Sequence, residues 1–199
     1  MKIIILTFIT YLSLNNLLIA QSIKKYQYWE NMNPAEKEQF LSSHQIDKLA
    51  LQFYNGKFTV SDNNISFKFL NILTTKNSNL IPFYNYLFNK ICYKADGALS
   101  ETLGKYCLRM IIHNTDYVIN YFTYDRENKK SNKYCYQLYG NILGYEMYFK
   151  KEGTSDIDYN FGQLKEYLSN HFKKGSTQNK KTLKLLYNVI SSTIKNMSK

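Results

Sequence analysis

Cys92, Cys107 and His113 are the side chains of this sequence best suited to nucleophilic catalysis, and they lie in or just after the segment ICYKADGALSETLGKYCLRM. A thiol beside an imidazole is the pairing that a cysteine hydrolase uses. Cys107 and His113 are six residues apart, which is about 600° of rotation on a helix, so we expect them to lie on different faces. No signature of a hydrolase family accompanies them, so the sequence gives this chemistry little support.

Asp96 and Glu101 could supply the two carboxylates of a glycoside hydrolase. Asp96 directly precedes a helical pattern, however, and is better explained as the residue that caps the helix. The three histidines occur singly, outside any HExxH motif, and the cysteines lack the paired spacing of zinc ligands. No glycine-rich phosphate-binding loop is present. We therefore predict no metal site, no cofactor and no catalytic residues.

The three cysteines are an odd number, so at least one is unpaired within a monomer. If residues 94–96 form the turn of an antiparallel helical hairpin, Cys92 and Cys107 lie roughly 10–12 Å apart along the helix axis. A disulfide requires Cα atoms within about 7 Å. The sequence therefore predicts no bridge between Cys92 and Cys107.

Small residues form one stripe along the second helix of that hairpin, at Gly97, Ser100, Gly104 and Cys107. Such a stripe allows a neighbouring helix to approach closely, and buried cysteine often acts as a small hydrophobic residue. Packing is the favoured role of Cys107. A disulfide to Cys135 and a reactive thiol remain alternatives.

The N-terminus has the layout of a secretory signal peptide. A lysine at position 2 precedes an apolar run and then small residues, with cleavage expected after Ala20 or after Ser22. The alternative is an uncleaved membrane anchor, because residues 3–20 just reach the length of a membrane span. We predict a signal peptide over residues 1–20 and a secreted or periplasmic protein with no stable membrane span after cleavage. Export implies an oxidising compartment that permits disulfides.

Glycine (8 residues) and proline (2 residues) are scarce in the 199-residue chain, which favours long helices. Apolar residues recur at helical spacing in about eight segments of 10–20 residues joined by short turns. Residues 21–199 are therefore predicted to form a single all-α domain, an irregular bundle of consecutive antiparallel hairpins with a HEAT-like or orthogonal arrangement. No internal repeat of fixed length is apparent.

Several helix ends can be assigned from single residues. Asn33 and Pro34 begin a helix that continues to Asn55 and Gly56, a left-handed C-cap, unless Ser42 and Ser43 split it. A shorter helix begins at Thr115 and Asp116 and reaches Phe122, and residues 125–133 are predicted to form a charged loop. Residues 152–158 are predicted to form a turn, and the last helix spans residues 181–197.

The run PFYNYLFNKICYKADGALSETLGKYC resembles a segment of small secreted helical proteins of Gram-negative bacteria that have no established activity. The resemblance covers residues 54–122 and includes no catalytic motif. It implies an exported all-α protein and assigns no functional residue.

Positive charge is concentrated at the C-terminal end. The formal net charge of the chain is +11, and residues 161–199 contain eight lysines and one acidic residue, Glu166. Such a surface attracts polyanions or acidic proteins, although lysines on a solvated helix face are also common without any such role. The candidate binding residues are Lys173, Lys174, Lys180, Lys181 and Lys184.

The favoured function is an exported, non-enzymatic module that binds a protein of the bacterial envelope or its surroundings, in the manner of an inhibitor or immunity protein. Abundant tyrosine (19 residues) suits contact surfaces of this kind. The alternatives are an envelope hydrolase with an unrecognised site and a polyanion-binding protein. An exported chain is not expected to bind nucleic acid.

Overall fold

The computed structural model describes residues 26–76, 79–95, 97–129, 133–149 and 159–199. These residues contain nine α-helices and no strand, which confirms the predicted all-α bundle. A short 3-10 turn at Trp29–Asn31 precedes the first helix. The helices are α1 (Pro34–Ser43), α2 (Lys48–Tyr54), α3 (Asn64–Thr74), α4 (Ile81–Lys94), α5 (Gly97–His113), α6 (Thr115–Asn128), α7 (Cys135–Phe149), α8 (Phe161–His171) and α9 (Thr177–Met197).

Asparagine, aspartate and serine side chains cap five of the nine helices in the described residues. Asn33 and Glu36 form a reciprocal capping box at α1, with the Asn33 side chain accepting the Glu36 amide at 2.9 Å. Asn160 and Gln163 do the same at α8. Such caps satisfy backbone N–H groups that the helix leaves unpaired. The predicted first helix is split after Ser43, as one of its two alternatives proposed.

α7 lies in close contact with α9 because two glycines of α7 face it. A Cβ atom added to Gly140 would lie 2.7 Å from a methyl carbon of Val189, and one added to Gly144 would lie 2.5 Å from Thr193 Cβ. Gly144 lies four residues after Gly140, and Thr193 lies four residues after Val189. The contacts therefore progress in the same direction along both helices, which run parallel. The two glycines lower the intrinsic helix propensity of α7 but allow the most extensive helix contact among the described residues.

α7 also packs extensively on α5, where Gly104 plays the equivalent role. A Cβ atom at Gly104 would lie 2.3 Å from the Cβ of Glu146. This contact confirms the prediction that the small-residue stripe of α5 admits a neighbouring helix. α7 is therefore held from two directions, by α5 and by α9.

The most extensive helix contacts join helices that are not consecutive in the chain, namely α7 with α9 and α5 with α7. The expectation of consecutive antiparallel hairpins therefore does not describe the main packing. The reason is that the small residues of α5 and α7 are placed for close contact with α7 and α9, whereas α4 and α5 make only limited contact with each other.

The predicted charged loop at residues 125–133 is wrong at its start, because α6 continues to Asn128. Asp125 is fully buried there, and its Oδ2 accepts the backbone N–H of Cys135 at 2.7 Å, at the first residue of α7. Its Oδ1 lies 2.7 Å from Lys129 Nζ. A carboxylate at a helix N-terminus is favourable, and the lysine compensates its burial.

Tyrosines form much of the core rather than covering only the surface. Tyr117, Tyr121 and Tyr139 are almost fully buried. The Tyr121 hydroxyl donates to Glu30 Oε1 at 2.6 Å, and the Tyr139 hydroxyl donates to Asn89 Oδ1 at 2.9 Å. Burial, reinforced for Tyr117 and Tyr121 by Glu30, raises the pKa of all three phenols well above the ordinary value.

The predicted signal peptide and the predicted turn at residues 152–158 lie outside the described residues. Within the described residues, none of the helices combines the length and the apolar character that a bilayer crossing requires.

Replacing Gly144 with valine tests the contact between α7 and α9. The added side chain must displace Thr193, and overpacking of this kind costs about 2–3 kcal/mol of unfolding free energy. The midpoint of urea denaturation, followed by circular dichroism, should fall accordingly. The matched control is Tyr145→Val, which places the same side chain at the next, exposed position and should change stability by less than about 0.5 kcal/mol. Equal stability of the two variants would contradict the contact.

The buried tyrosines predict a loss of stability in alkali. The unfolded chain releases phenolic protons near pH 10 while the folded chain retains them, so stability is complete below pH 10 and falls as the pH rises further. Tyr117, Tyr121 and Tyr139 together should cost about 4 kcal/mol at pH 11. Urea titrations at pH 8, 10 and 11 measure this loss, and Tyr117→Phe should reduce the loss at pH 11 by about 1.4 kcal/mol. A pH-independent stability up to pH 11 would contradict the burial.

Candidate functional site

The five predicted lysines lie together around the hairpin that joins α8 to α9. Lys173 and Lys174 occupy the turn after α8, and Lys180, Lys181 and Lys184 lie on the first half of α9. All five are exposed. We call this surface the lysine face. The opposite side of α9 is buried through Asn179, Thr182, Leu183, Leu186 and Ile190.

Polar contacts with α6 fix the start of α9. The hydroxyl oxygen of Thr123 lies 2.9 Å from both Asn179 Oδ1 and Thr182 Oγ1, and all three residues are buried. Arg126 Nη2 donates to Gln178 Oε1 at 2.8 Å. Buried hydrogen bonds define one position of a helix more sharply than apolar contact alone. The lysine face is therefore presented by a rigidly placed helix.

None of the five lysines forms an ion pair with a carboxylate among the described residues. Glu166, the one acidic residue of residues 161–199, is exposed on α8. Asp116, the acidic residue in contact with α8, already pairs with the imidazole of His171. The positive charge of the lysine face is thus not neutralised within the part of the chain that the structure describes.

A second feature is a groove of about 500 Å³ between the start of α4, the junction of α5 with α6, and α8. His113 and His171 both line it. His171 Nε2 lies 2.8 Å from Asp116 Oδ1, and His113 Nδ1 donates to the carbonyl of Thr74 at 3.0 Å. The pairing of Asp116 with His171, 55 residues apart, brings an acid and a base to one surface.

The groove lacks a nucleophile in a catalytic position among the described residues. The hydroxyl of Thr115 donates to the Ile112 carbonyl at 3.0 Å and accepts the hydroxyl of Tyr167 at 3.0 Å. The contacts of His113 and His171 are with a carbonyl, a carboxylate and aromatic rings. An imidazole must contact the hydroxyl or thiol that it activates, so this arrangement does not form a hydrolase triad.

The cysteines do not form a thiol–imidazole pair with His113. Cys92, Cys107 and Cys135 are all buried free thiols, so Cys107 has the packing role that the sequence favoured. Burial raises the pKa of Cys107 well above its ordinary value, and burial together with Asp125 raises the pKa of Cys135 to about 12. Thiols held in the protonated form are poor nucleophiles.

The predicted separation of Cys92 and Cys107 is wrong. Their Sγ atoms lie 4.0 Å apart. The estimate assumed that α4 and α5 pair along their length from a turn at residues 94–96, whereas α5 packs mainly on α7. The alternative of a bridge from Cys107 to Cys135 is not formed, and the Cys135 sulfur contacts the Tyr93 hydroxyl at 3.4 Å.

Asp96 and Glu101 are the carboxylate pair that the sequence offered for glycoside hydrolysis. Asp96 lies outside the described residues, and Glu101 is exposed on α5. No group of three or more histidine, cysteine, aspartate or glutamate side chains in the described residues is arranged to hold a metal ion.

Comparison of the chain with protein-family models, with curated proteins and with solved structures found no match. The resemblance of residues 54–122 to secreted helical proteins therefore stays a prediction.

Sequence reasoning located the lysine face but missed the groove. Lysines that are close in sequence on one helix remain close in space, so composition alone identifies them. His113, Asp116 and His171 come together only because α8 packs beside the junction of α5 and α6. No spacing rule signals that contact.

The burial of Cys135 predicts very slow alkylation in the folded protein. A pKa of about 12 lowers the thiolate fraction at pH 8 roughly a thousandfold relative to an ordinary cysteine. Iodoacetamide labelling of Cys135 at pH 8, measured by peptide mass spectrometry, should therefore be at least about a hundredfold slower in the folded chain than in guanidinium chloride. Similar rates in the two states would show that the thiol is accessible and ionised.

Proposed function

We propose that the protein is an exported, non-enzymatic module that binds an acidic protein through the lysine face. The observation that carries the proposal is the exposure of five lysines, without a carboxylate partner among the described residues, on α9 and on the turn that precedes it, where α6 and α7 fix α9 in place. The inhibitor or immunity type of binding protein is the concrete form that we favour.

The arrangement of charge and rigidity supports this proposal. Charges on an exposed rim chiefly raise the association rate and select partners of opposite charge. A helix held by buried hydrogen bonds loses little conformational freedom when it binds, which lowers the entropic cost of association. Lys180 and Lys184 are one helical turn apart, so they can contact two carboxylates of one partner surface.

The chemistry of the groove makes an enzyme a weaker candidate. An envelope hydrolase needs a nucleophile or an activated water beside a base, and the hydroxyl of Thr115 is engaged by Ile112 and Tyr167. A polyanion-binding protein needs only the positive charge of the lysine face, so it is the alternative that an experiment must separate.

Charge reversal of Lys180, Lys181 and Lys184 to glutamate tests the proposal. The mature chain is first used to isolate its partner from envelope and culture-supernatant extracts, and the partner is identified by mass spectrometry. The dissociation constant is then measured with the purified partner. We expect the triple variant to bind at least about tenfold more weakly, mainly through a slower association rate at low salt.

The matched control reverses Lys48, Lys57 and Lys68, which are exposed on and around α2 and α3 and change the net charge equally. This control should retain most of the affinity. Equal weakening by both triple variants would indicate a non-specific effect of net charge, and unchanged affinity in the first variant would exclude the lysine face as the binding site.

Salt dependence distinguishes a polyanion from a protein. Binding of a linear polyanion falls steeply with salt, because each neutralised phosphate or sulfate releases counterions. If the isolated partner is a glycan or another polymer and its binding constant falls by about a thousandfold between 50 mM and 200 mM salt, the polyanion-binding alternative replaces the protein-binding proposal.

A further inference from the structure

The contact between Cys92 and Cys107 is a feature that the proposed binding function does not use. Their sulfur atoms are 4.0 Å apart across the interface of α4 and α5. Cys92 is 3% exposed and Cys107 is fully buried. Among the described residues, no other pair of cysteine sulfurs is in contact. The two thiols therefore form a defined pair, and Cys135 is excluded from it.

The distance is close to what a disulfide requires. The two sulfurs must approach by about 2 Å to reach the bond length of a disulfide, about 2.05 Å. A change of one cysteine from one staggered rotamer to another moves its sulfur by roughly 3 Å, without a change in the backbone. The movement of one sulfur between rotamers is therefore as large as the approach that the bond requires.

We infer that Cys92 and Cys107 are a redox site, a dithiol that closes to a disulfide linking α4 to α5 in an oxidising compartment. The inference rests on the sulfur geometry and is independent of the lysine face. The sequence had predicted no bridge between Cys92 and Cys107, because an assumed hairpin register placed the two residues too far apart.

The reaction is a thiol–disulfide exchange with an oxidant that itself contains a disulfide, such as glutathione disulfide or an oxidised dithiol enzyme. One cysteine loses its proton and attacks a sulfur of the oxidant, which forms a mixed disulfide and releases one thiolate of the oxidant. The second cysteine then loses its proton and attacks the first cysteine's sulfur, which releases the other half of the oxidant. Two protein thiols are oxidised, the oxidant's disulfide is reduced to two thiols, and these take up the two protons.

Burial determines when this exchange occurs. Neither thiol is accessible to a macromolecular oxidant in the closed fold, because Cys107 lies beneath α4 and α7. The bond therefore forms during folding or in a local opening of the end of α4, where Cys92 lies two residues before Lys94, the last residue of the helix. Once formed, it closes a loop of 16 residues and restricts the unfolded chain.

The test uses the full mature chain, purified and reduced, without any partner. The folded protein is incubated at pH 8 with glutathione disulfide. Free thiols are then blocked with iodoacetamide in guanidinium chloride, so that buried cysteines react, and the digest is analysed by mass spectrometry without reduction. We expect a peptide pair joined through Cys92 and Cys107, with Cys135 recovered in its alkylated form. The oxidised protein should keep its helical circular dichroism and melt roughly 5–10 °C higher than the reduced protein.

Variants make the outcome specific. Cys135→Ala should form the same linked peptide, whereas Cys92→Ala and Cys107→Ala should each abolish it. Three free thiols per chain after oxidation, a linkage that includes Cys135, or a linked protein that has lost its helical signal would each overturn the inference. None of these outcomes depends on whether the lysine face binds a partner, so the two proposals fail separately.

Discussion

The close packing of α7 between α5 and α9 is the constraint on which the rest of the structure depends. Gly104, Gly140 and Gly144 leave no space for a side chain at these contacts. Protein interiors tolerate little change in volume, so helices that touch through glycine backbones are held at one separation. The cost is a lower intrinsic helix propensity in α7, which the tertiary contacts must outweigh.

The position of the lysine face follows from that packing. α9 is parallel to α7 and in contact with it along its middle, while Thr123 of α6 holds its first turn by buried hydrogen bonds. The apolar and small polar residues of α9 therefore face the interior, and its lysines face the solvent. The same arrangement brings α8 against the junction of α5 and α6, which creates the groove that contains His113 and His171. Both candidate surfaces thus depend on the interior contacts of α7.

Sequence patterns predicted the helical elements well because helix ends depend on local chemistry. Asn33, Pro34 and Gly56 act through their own backbone and nearest neighbours, and each occupies the position that was predicted. Asp125 was misassigned to a loop because a charged run looks solvated, whereas its carboxylate caps a helix that begins ten residues later.

The helix pairing was not predictable by the same means. Gly140 and Gly144 reduced the apparent helicity of α7, and only their contacts with Val189 and Thr193 explain why they are there. The separation of Cys92 from Cys107 was wrong for the same reason, because a register derived from an assumed hairpin has no information about a third helix. The lysine face could be identified from the sequence alone, whereas the groove could be identified only from the tertiary structure.

Native-state amide hydrogen exchange tests most directly whether α7 is the structural centre of the protein. Amides of α7 between Tyr139 and Gly144 should exchange only when the whole chain unfolds, with the same free energy as global denaturation. Amides of α1, a helix with no buried residue, should exchange through local opening many times faster. Exchange of the α7 amides as fast as those of α1 would contradict the central role of the glycine contacts.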